Sequence, residues 1–135
     1  MKEIRLKYFI PIVAWAAVIT VVSAIPHLSA ARVIGLTFTD KLAHITEYFI
    51  FGAALAFGLH RSGAVRSIFP ATILLSILFG AADEIHQYFV PGRSSDPFDL
   101  IADTIGAAMG AALYLRLKEK LLKVIPWGSH IEGTK

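Results

Sequence analysis

The chain has 135 residues, 56% of them hydrophobic, and its 13 basic and 10 acidic side chains give a formal charge of +3. Its mean hydropathy of +0.63 is high for a soluble protein, and the lack of cysteine excludes disulfides, zinc–thiolate centres and a cysteine nucleophile. The basic residues flank apolar runs and form no face with interleaved aromatic side chains, so we expect no nucleic-acid binding.

Four apolar runs predict four transmembrane helices, at about residues 8–25, 42–59, 67–90 and 98–115. Each run is close to the roughly 20 residues that cross the hydrocarbon core of a bilayer. The first run follows a basic start, and Val22-Ser23-Ala24 resembles a signal-peptidase site, but the length of the run favours a retained helix over a cleaved signal peptide. We therefore predict an all-α integral membrane bundle of four helices that forms a single domain over residues 1–135.

The basic residues predict the topology of this bundle. Ten of the 13 lysines and arginines lie in the two terminal segments and in the loop between the second and third runs. The positive-inside rule therefore predicts that both termini are cytoplasmic and that the loops at 26–41 and 91–97 lie outside. Residues 116–125, after the fourth run, are predicted to form a short cytoplasmic helix that can lie on anionic lipid.

Acidic side chains interrupt or border the last three runs, all toward the predicted outer side. They are Asp40, Glu47, Asp83, Glu84, Asp96, Asp99 and Asp103. A charge at the centre of a membrane helix costs roughly 2.5–3.5 kcal/mol on insertion scales, so such residues are candidates for function. Only three basic residues, Arg32, Lys41 and Arg93, lie on the same side. Protonation, a bound cation or a cationic ligand must therefore offset the excess negative charge.

Helix-end chemistry can account for three of these acids. Asp96 precedes Pro97, which suits the first position of a helix, so Asp96 can be its N-cap. Asp40 and Asp99 fall near predicted helix starts, where the helix dipole favours a carboxylate. Capping does not explain the remaining four acids, which are Glu47, Asp83, Glu84 and Asp103.

The polar residues of each run share one helix face, as in Asp40, His44 and Glu47 at i, i+4 and i+7. Convergence of three such faces predicts a polar pocket that opens outward. Its candidate ligand-binding residues are Lys41, His44, Glu47, Asp83, Glu84, His86, Gln87, Arg93, Ser94, Asp99 and Asp103. Candidates for a divalent metal are His44, Glu47, Asp83, Glu84 and His86, and the last four are also candidates for catalysis. Interhelical hydrogen bonding is an equally good explanation for the two histidines.

Below the pocket, Gly106-xxx-Gly110 is a small-residue motif that allows close helix approach. The motif can serve packing within the chain, and it also makes a homo-oligomer an option.

Three motifs resemble those of VanZ-like membrane proteins. DKLAHITEY at 40–48 is similar to the family's DK-x-x-H-x-x-E-Y pattern. EIHQ at 84–87 with PGRS at 91–94 resembles its E-x-x-Q…PGR-S segment. DLIADTIG at 99–106 resembles D-x-x-A-N-x-x-G, with Asp103 in place of asparagine. The resemblance covers about residues 36–113.

The resemblance implies a bacterial inner-membrane protein, and the founding member of the family confers low-level resistance to teicoplanin, a lipid-tailed glycopeptide. The first hypothesis is therefore an envelope factor whose pocket binds a membrane lipid, a lipid-linked cell-wall precursor or a lipoglycopeptide. In it, Lys41 and Arg93 meet phosphate and the acids accept an amine. The second is a membrane-embedded hydrolase or transferase that acts on a lipid headgroup, in which a divalent metal can activate water. The third is a proton- or cation-coupled transporter.

Overall fold

The computed structural model describes residues 6–26, 28, 38–93 and 95–124. Its elements are a 3₁₀ turn at Leu6–Phe9 and four α-helices, α1 at Ile10–Ser23, α2 at Phe38–Ser62, α3 at Ile68–Tyr88 and α4 at Pro97–Val124. The described part of the chain contains no strand, which confirms the predicted all-α class.

Four segments are long and apolar enough to cross a membrane. They are Leu6–Ser23, Thr39–Ser62, Ile68–Tyr88 and Pro97–Lys120. The protein is therefore a multi-pass membrane protein, and its described residues contain the four spans that the sequence predicts. The second apolar run starts at residue 42, whereas α2 starts at Phe38. The helix is longer than the run because it includes the charged residues Asp40 and Lys41. Residues 116–124 continue α4 without a break, and Ile125 lies outside the described residues.

Hydrogen bonds between helix ends define one end of the bundle. Ser23, the last residue of α1, donates to Asp83 near the end of α3. Glu84 of α3 accepts from the backbone of Asp96, immediately before α4, and Asp96 also binds Lys41 in the first turns of α2. The ends of α1 and α3 therefore meet the starts of α2 and α4. We call this the acidic end, because the seven acids of the predicted outer side lie there.

The closest helix packing joins α2 and α4. A Cβ added at Gly106 would collide with the backbone carbonyl of Ile45, and one added at Gly110 would collide with that of Phe49. The small-residue motif is therefore occupied by α2 of the same chain. A homo-oligomer remains a prediction, but these glycines are not a free surface for it.

α1 packs more loosely than the other helices. Only 17% of its apolar window is buried in the bundle, against 44% for the windows in α2 and α4. Its anchors are Ile19, which is buried with Tyr48 and Phe51, and Trp15, whose indole N–H donates to the backbone carbonyl of Glu47 at 2.9 Å. This loose contact leaves space between α1 and α3.

Candidate functional site

The acidic end buries polar side chains from three helices. Six predicted site residues are buried, namely His44, Asp83, Glu84, Gln87, Asp99 and Asp103. Lys41, Glu47, His86 and Arg93 are half-buried, and Ser94 lies outside the described residues. The sequence predicted one pocket, whereas the structure arranges these residues in two groups. One contacts α4 and the other contacts α1.

The α4-side cluster consists of Lys41, His44, Glu84, Asp96, Asp99 and Asp103. His44 Nδ1 lies 2.8 Å from Asp103 Oδ1, and its Nε2 lies 3.7 Å from Asp99 Oδ2. The Lys41 ammonium donates to Asp96 Oδ2 at 2.5 Å and also to Asp99 Oδ1. Lys41 is therefore held by two carboxylates, and its role as a phosphate ligand in the first hypothesis stays a prediction.

The start of α4 fixes the orientation of Glu84. Asp96 Oδ1 accepts from the Phe98 amide at 2.9 Å, which confirms the predicted N-cap. Glu84 Oε2 accepts from the Ser95 hydroxyl at 3.0 Å and from the Asp96 amide at 2.8 Å. The hydrogen bond from Lys41, followed by that from the Phe98 amide, lowers the pKa of Asp96 below its ordinary value. Asp96 therefore caps α4 through one carboxylate oxygen and pairs with Lys41 through the other.

Four oxygen atoms beside this cluster are buried without a hydrogen-bond partner among the described residues. They are Glu84 Oε1, Asp103 Oδ2, Tyr48 Oη and Ser76 Oγ. A Cβ added at Gly80 would lie 3.2 Å from Asp103 Oδ2 and 3.5 Å from Tyr48 Oη, so a larger residue at this position would crowd these two oxygens. Buried polar groups normally have partners, and an unpaired one costs about 1–3 kcal/mol. Hydrogen bonds and ion pairs among the described residues therefore do not satisfy every buried oxygen of the cluster.

Two trios that share His44, one within the cluster and one that includes Asp40 outside it, have the donor types of a metal site. His44, Glu84 and Asp103 each offer an atom within 4.8 Å of the other two, and so do Asp40, His44 and Asp99. The other predicted metal candidates, Glu47, Asp83 and His86, belong to neither trio among the described residues. Of the predicted metal set, the structure brings together His44 and Glu84, with Asp103 as the third donor.

The α1-side group consists of Ser23, Glu47, Asp83, His86 and Gln87. Asp83 Oδ2 accepts from the Ser23 hydroxyl and from the Gln87 amide, each at 2.8 Å. The same amide lies 3.3 Å from Ser23 Oγ. Sequence reasoning missed Ser23, which it considered only as part of a cleavage motif. The available signal was a small hydroxyl residue at the same membrane depth as Asp83.

A cleft of about 230 Å³ opens between α1 and α3 beside this group. Its lining residues are Thr20, Phe79, Ala82, Asp83 and His86. Glu47 is half-buried, its carboxylate has no hydrogen bond within the described residues, and it interacts electrostatically with His44, Asp83 and Arg93. The α1 side therefore offers space and uncommitted polar groups, whereas the α4 side is largely closed by ion pairs.

Comparison with curated proteins and with solved structures gives no match. A model of the VanZ/LLP1 family matches residues 3–119. The matched region contains all four helix spans almost completely, together with both polar groups of the acidic end. The chain therefore belongs to the VanZ/LLP1 family.

Proposed function

We propose that this protein is an envelope protein of the bacterial inner membrane that binds the headgroup of a lipid or lipid-linked ligand at its acidic end. The ligand class is a headgroup that carries an amine and a phosphate. The observation that carries this proposal is the cleft between α1 and α3, which has Asp83 and His86 in its wall.

The shape of the cleft suits part of a lipid. Its volume of about 230 Å³ is below the roughly 300–1,000 Å³ of most small-molecule sites, so it fits a headgroup fragment better than a complete ligand. Val21 and Ile85, which are next in sequence to the lining residues Thr20 and His86, are each 64% exposed and suit contact with acyl chains. A lipid can therefore approach sideways from the bilayer and place its headgroup beside Asp83.

The charges of the acidic end favour an amine in this position. Seven carboxylic acids share this end with two described cations, Lys41 and Arg93. Lys41 is already paired with Asp96 and Asp99. Both bonds to Asp83 end on Oδ2, so Oδ1 has no hydrogen bond within the described residues. An ammonium group beside Asp83 would offset charge where the local dielectric is low.

Arg93 is the better candidate for the phosphate. It follows the turn after α3, and its buried Nε has no hydrogen-bond partner among the described residues. A guanidinium presents a planar set of donors that matches phosphate oxygens. Arg93 therefore replaces Lys41 as the proposed phosphate ligand.

Binding at the outer leaflet requires that the acidic end face outward, with both termini in the cytoplasm, as the positive-inside rule predicts. Because the chain has no cysteine, single cysteines can be labelled without background. We expect Pro91→Cys at the acidic end to react with a membrane-impermeant maleimide in intact spheroplasts. Ala64→Cys, in the exposed loop between α2 and α3, should react only after lysis. The opposite pattern would contradict the proposed orientation.

Lipid binding itself can be tested by native mass spectrometry of the detergent-purified chain. We expect retention of phosphatidylethanolamine over phosphatidylglycerol with the same acyl chains, and a loss of at least fivefold in Asp83→Asn and in Arg93→Ala. Glu119→Gln and Arg61→Ala, at the opposite end, are matched charge-removal controls that should retain the lipid. Equal retention of the two lipids, or full retention by Asp83→Asn, would contradict the proposal. A change in the mass of the lipid would instead favour the hydrolase hypothesis.

The cellular consequence that we propose is a contribution to lipoglycopeptide resistance, as the family resemblance implies. A deletion strain complemented with the wild-type gene should be less susceptible to teicoplanin than one complemented with Asp83→Asn or Arg93→Ala at equal expression. Equal protection by all three genes would show that resistance does not depend on these residues of the proposed site.

A further inference from the structure

We infer that His44, Glu84 and Asp103 bind one divalent metal ion of the Zn²⁺ or Mn²⁺ class between α2, α3 and α4. This site is separate from the cleft between α1 and α3. The inference goes beyond the proposed lipid binding, and either can fail without the other.

The donor set supports a metal of this class. One imidazole and two carboxylates come from three different helices, and their donor atoms lie within 4.8 Å of one another. Imidazole and carboxylate groups are ordinary ligands for Zn²⁺ and related ions, with bonds of about 2.0–2.2 Å. Such bonds place neighbouring donors roughly 3–4 Å apart, so only small side-chain rotations are needed.

The unpartnered oxygens are a second and independent observation. Glu84 is 6% exposed and Asp103 is 1% exposed, yet Glu84 Oε1 and Asp103 Oδ2 have no hydrogen-bond partner among the described residues. The other oxygen of each group is already bonded, Glu84 Oε2 to Ser95 and to the Asp96 amide, and Asp103 Oδ1 to His44. A cation between the helices would satisfy both free oxygens, whereas leaving buried carboxylates without partners is costly.

The groups around the trio are placed to orient its ligands. The Ser95 hydroxyl and the Asp96 amide hold Glu84 from behind. If the metal binds His44 at Nδ1, it replaces the contact of this nitrogen with Asp103 Oδ1, and the opposite nitrogen, 3.7 Å from Asp99 Oδ2, needs a small shift of the ring to donate to that oxygen. This is the carboxylate–histidine–metal arrangement that fixes the tautomer of a ligating imidazole. Lys41 binds the other oxygen of Asp99, so its ammonium is directed to that carboxylate and not into the trio.

The test is metal occupancy of the full-length purified chain. Protein stripped with chelator is loaded with Zn²⁺ or Mn²⁺, freed of excess metal and measured by inductively coupled plasma mass spectrometry. We expect about one ion per chain, together with a higher unfolding temperature. Glu84→Gln and Asp103→Asn should each lower occupancy at least tenfold.

The matched controls are acids that the structure leaves outside the trio. Asp83→Asn changes the residue next to Glu84 in sequence, and Glu47→Gln changes a half-buried acid of the same end. Both should keep the metal, although Asp83→Asn should lose the lipid. Because the loss of a buried ligand can also unfold the protein, absorption bands of wild-type protein loaded with Co²⁺ provide a second measurement. These bands should indicate nitrogen and oxygen ligation.

Two results would overturn the inference. Wild-type protein that holds no metal after loading would show that protons or water satisfy the free oxygens. Retention by Glu84→Gln and Asp103→Asn together with loss by Asp83→Asn would place the ion in the cleft instead.

Discussion

The two ends of the bundle both carry polar side chains, but they use them differently. At the end opposite the acidic end, His60 Nδ1 lies 2.9 Å from the Tyr114 hydroxyl, and Arg61 donates to the Tyr8 hydroxyl at 3.3 Å. The Arg61 guanidinium also lies 5.0 Å from the centre of the Tyr8 ring. We call this the basic end. At the acidic end the carboxylates themselves are buried, and two of their fully buried oxygens have no hydrogen-bond partner among the described residues.

This difference separates anchoring from recognition. At the basic end the charged groups lie at the rim and the buried parts are aromatic rings, as expected for side chains that fix a helix at a membrane interface. At the acidic end the charges themselves are buried, and within the described residues their neighbours do not satisfy all of them. A polar group without a partner in a packed interior is a candidate for binding a water, an ion or a ligand, whereas a satisfied one at the rim is not.

The largest effect that we expect comes from breaking one buried pair at the acidic end. Asp103→Ala should lower the free energy of unfolding by about 3 kcal/mol or more, because it leaves His44 buried without its carboxylate. His60→Ala, which removes the hydrogen bond to Tyr114 at the basic end, should cost only about 0.5–1 kcal/mol, as is typical of hydrogen bonds between membrane helices. Reversible unfolding in mixed detergent micelles, with chelator present to exclude metal, measures both variants.

A double variant shows whether the loss at Asp103 depends on the pair. Replacing both residues, as in His44→Leu with Asp103→Leu, should recover part of the stability, since neither member of this pair is then left buried without the other. Equal costs for Asp103→Ala and His60→Ala would remove the energetic distinction between the two ends.

Much of the architecture could be predicted from sequence because membranes impose simple constraints. Apolar length alone predicts the four helices. The acids in the last three runs predict that the polar groups gather at one end, since consecutive membrane helices run in opposite directions and all seven acids fall toward the same predicted side. The Asp96–Pro97 cap also follows from local chemistry, and the hydrogen bond to Phe98 confirms it.

The division of the acidic end into two groups could not be predicted in this way. Asp83 and Glu84 are neighbours in sequence, but successive residues of a helix point about 100° apart. As a result Asp83 contacts Ser23 of α1, whereas Glu84 contacts Ser95 before α4. Which carboxylate meets which helix depends on how α3 is rotated in the bundle, and this rotation depends on packing along its whole length. A motif that lists both acids side by side carries no such information.

The smallest effect that we expect lies at the rim of the acidic end, where Asp96 pairs with Lys41. Because the pKa of Asp96 is lowered in the folded protein, its ionised form stabilises the fold above its ordinary pKa of 3.8, and this contribution is lost as the pH falls through the lower folded value. Asp96→Asn should therefore be less stable than the wild type at pH 6, by less than about 1 kcal/mol for so exposed a pair. This difference in stability should shrink toward pH 3.

A Lys41→Met background provides the control. There the pH-dependent part of the stability difference should become smaller, because only the Phe98 amide then favours the carboxylate. A stability difference between Asp96→Asn and wild type that stays constant from pH 6 to pH 3 would mean that the side chain acts only as a neutral cap. The ion pair at the rim would then resemble the polar contacts of the basic end more than the buried pairs beneath it.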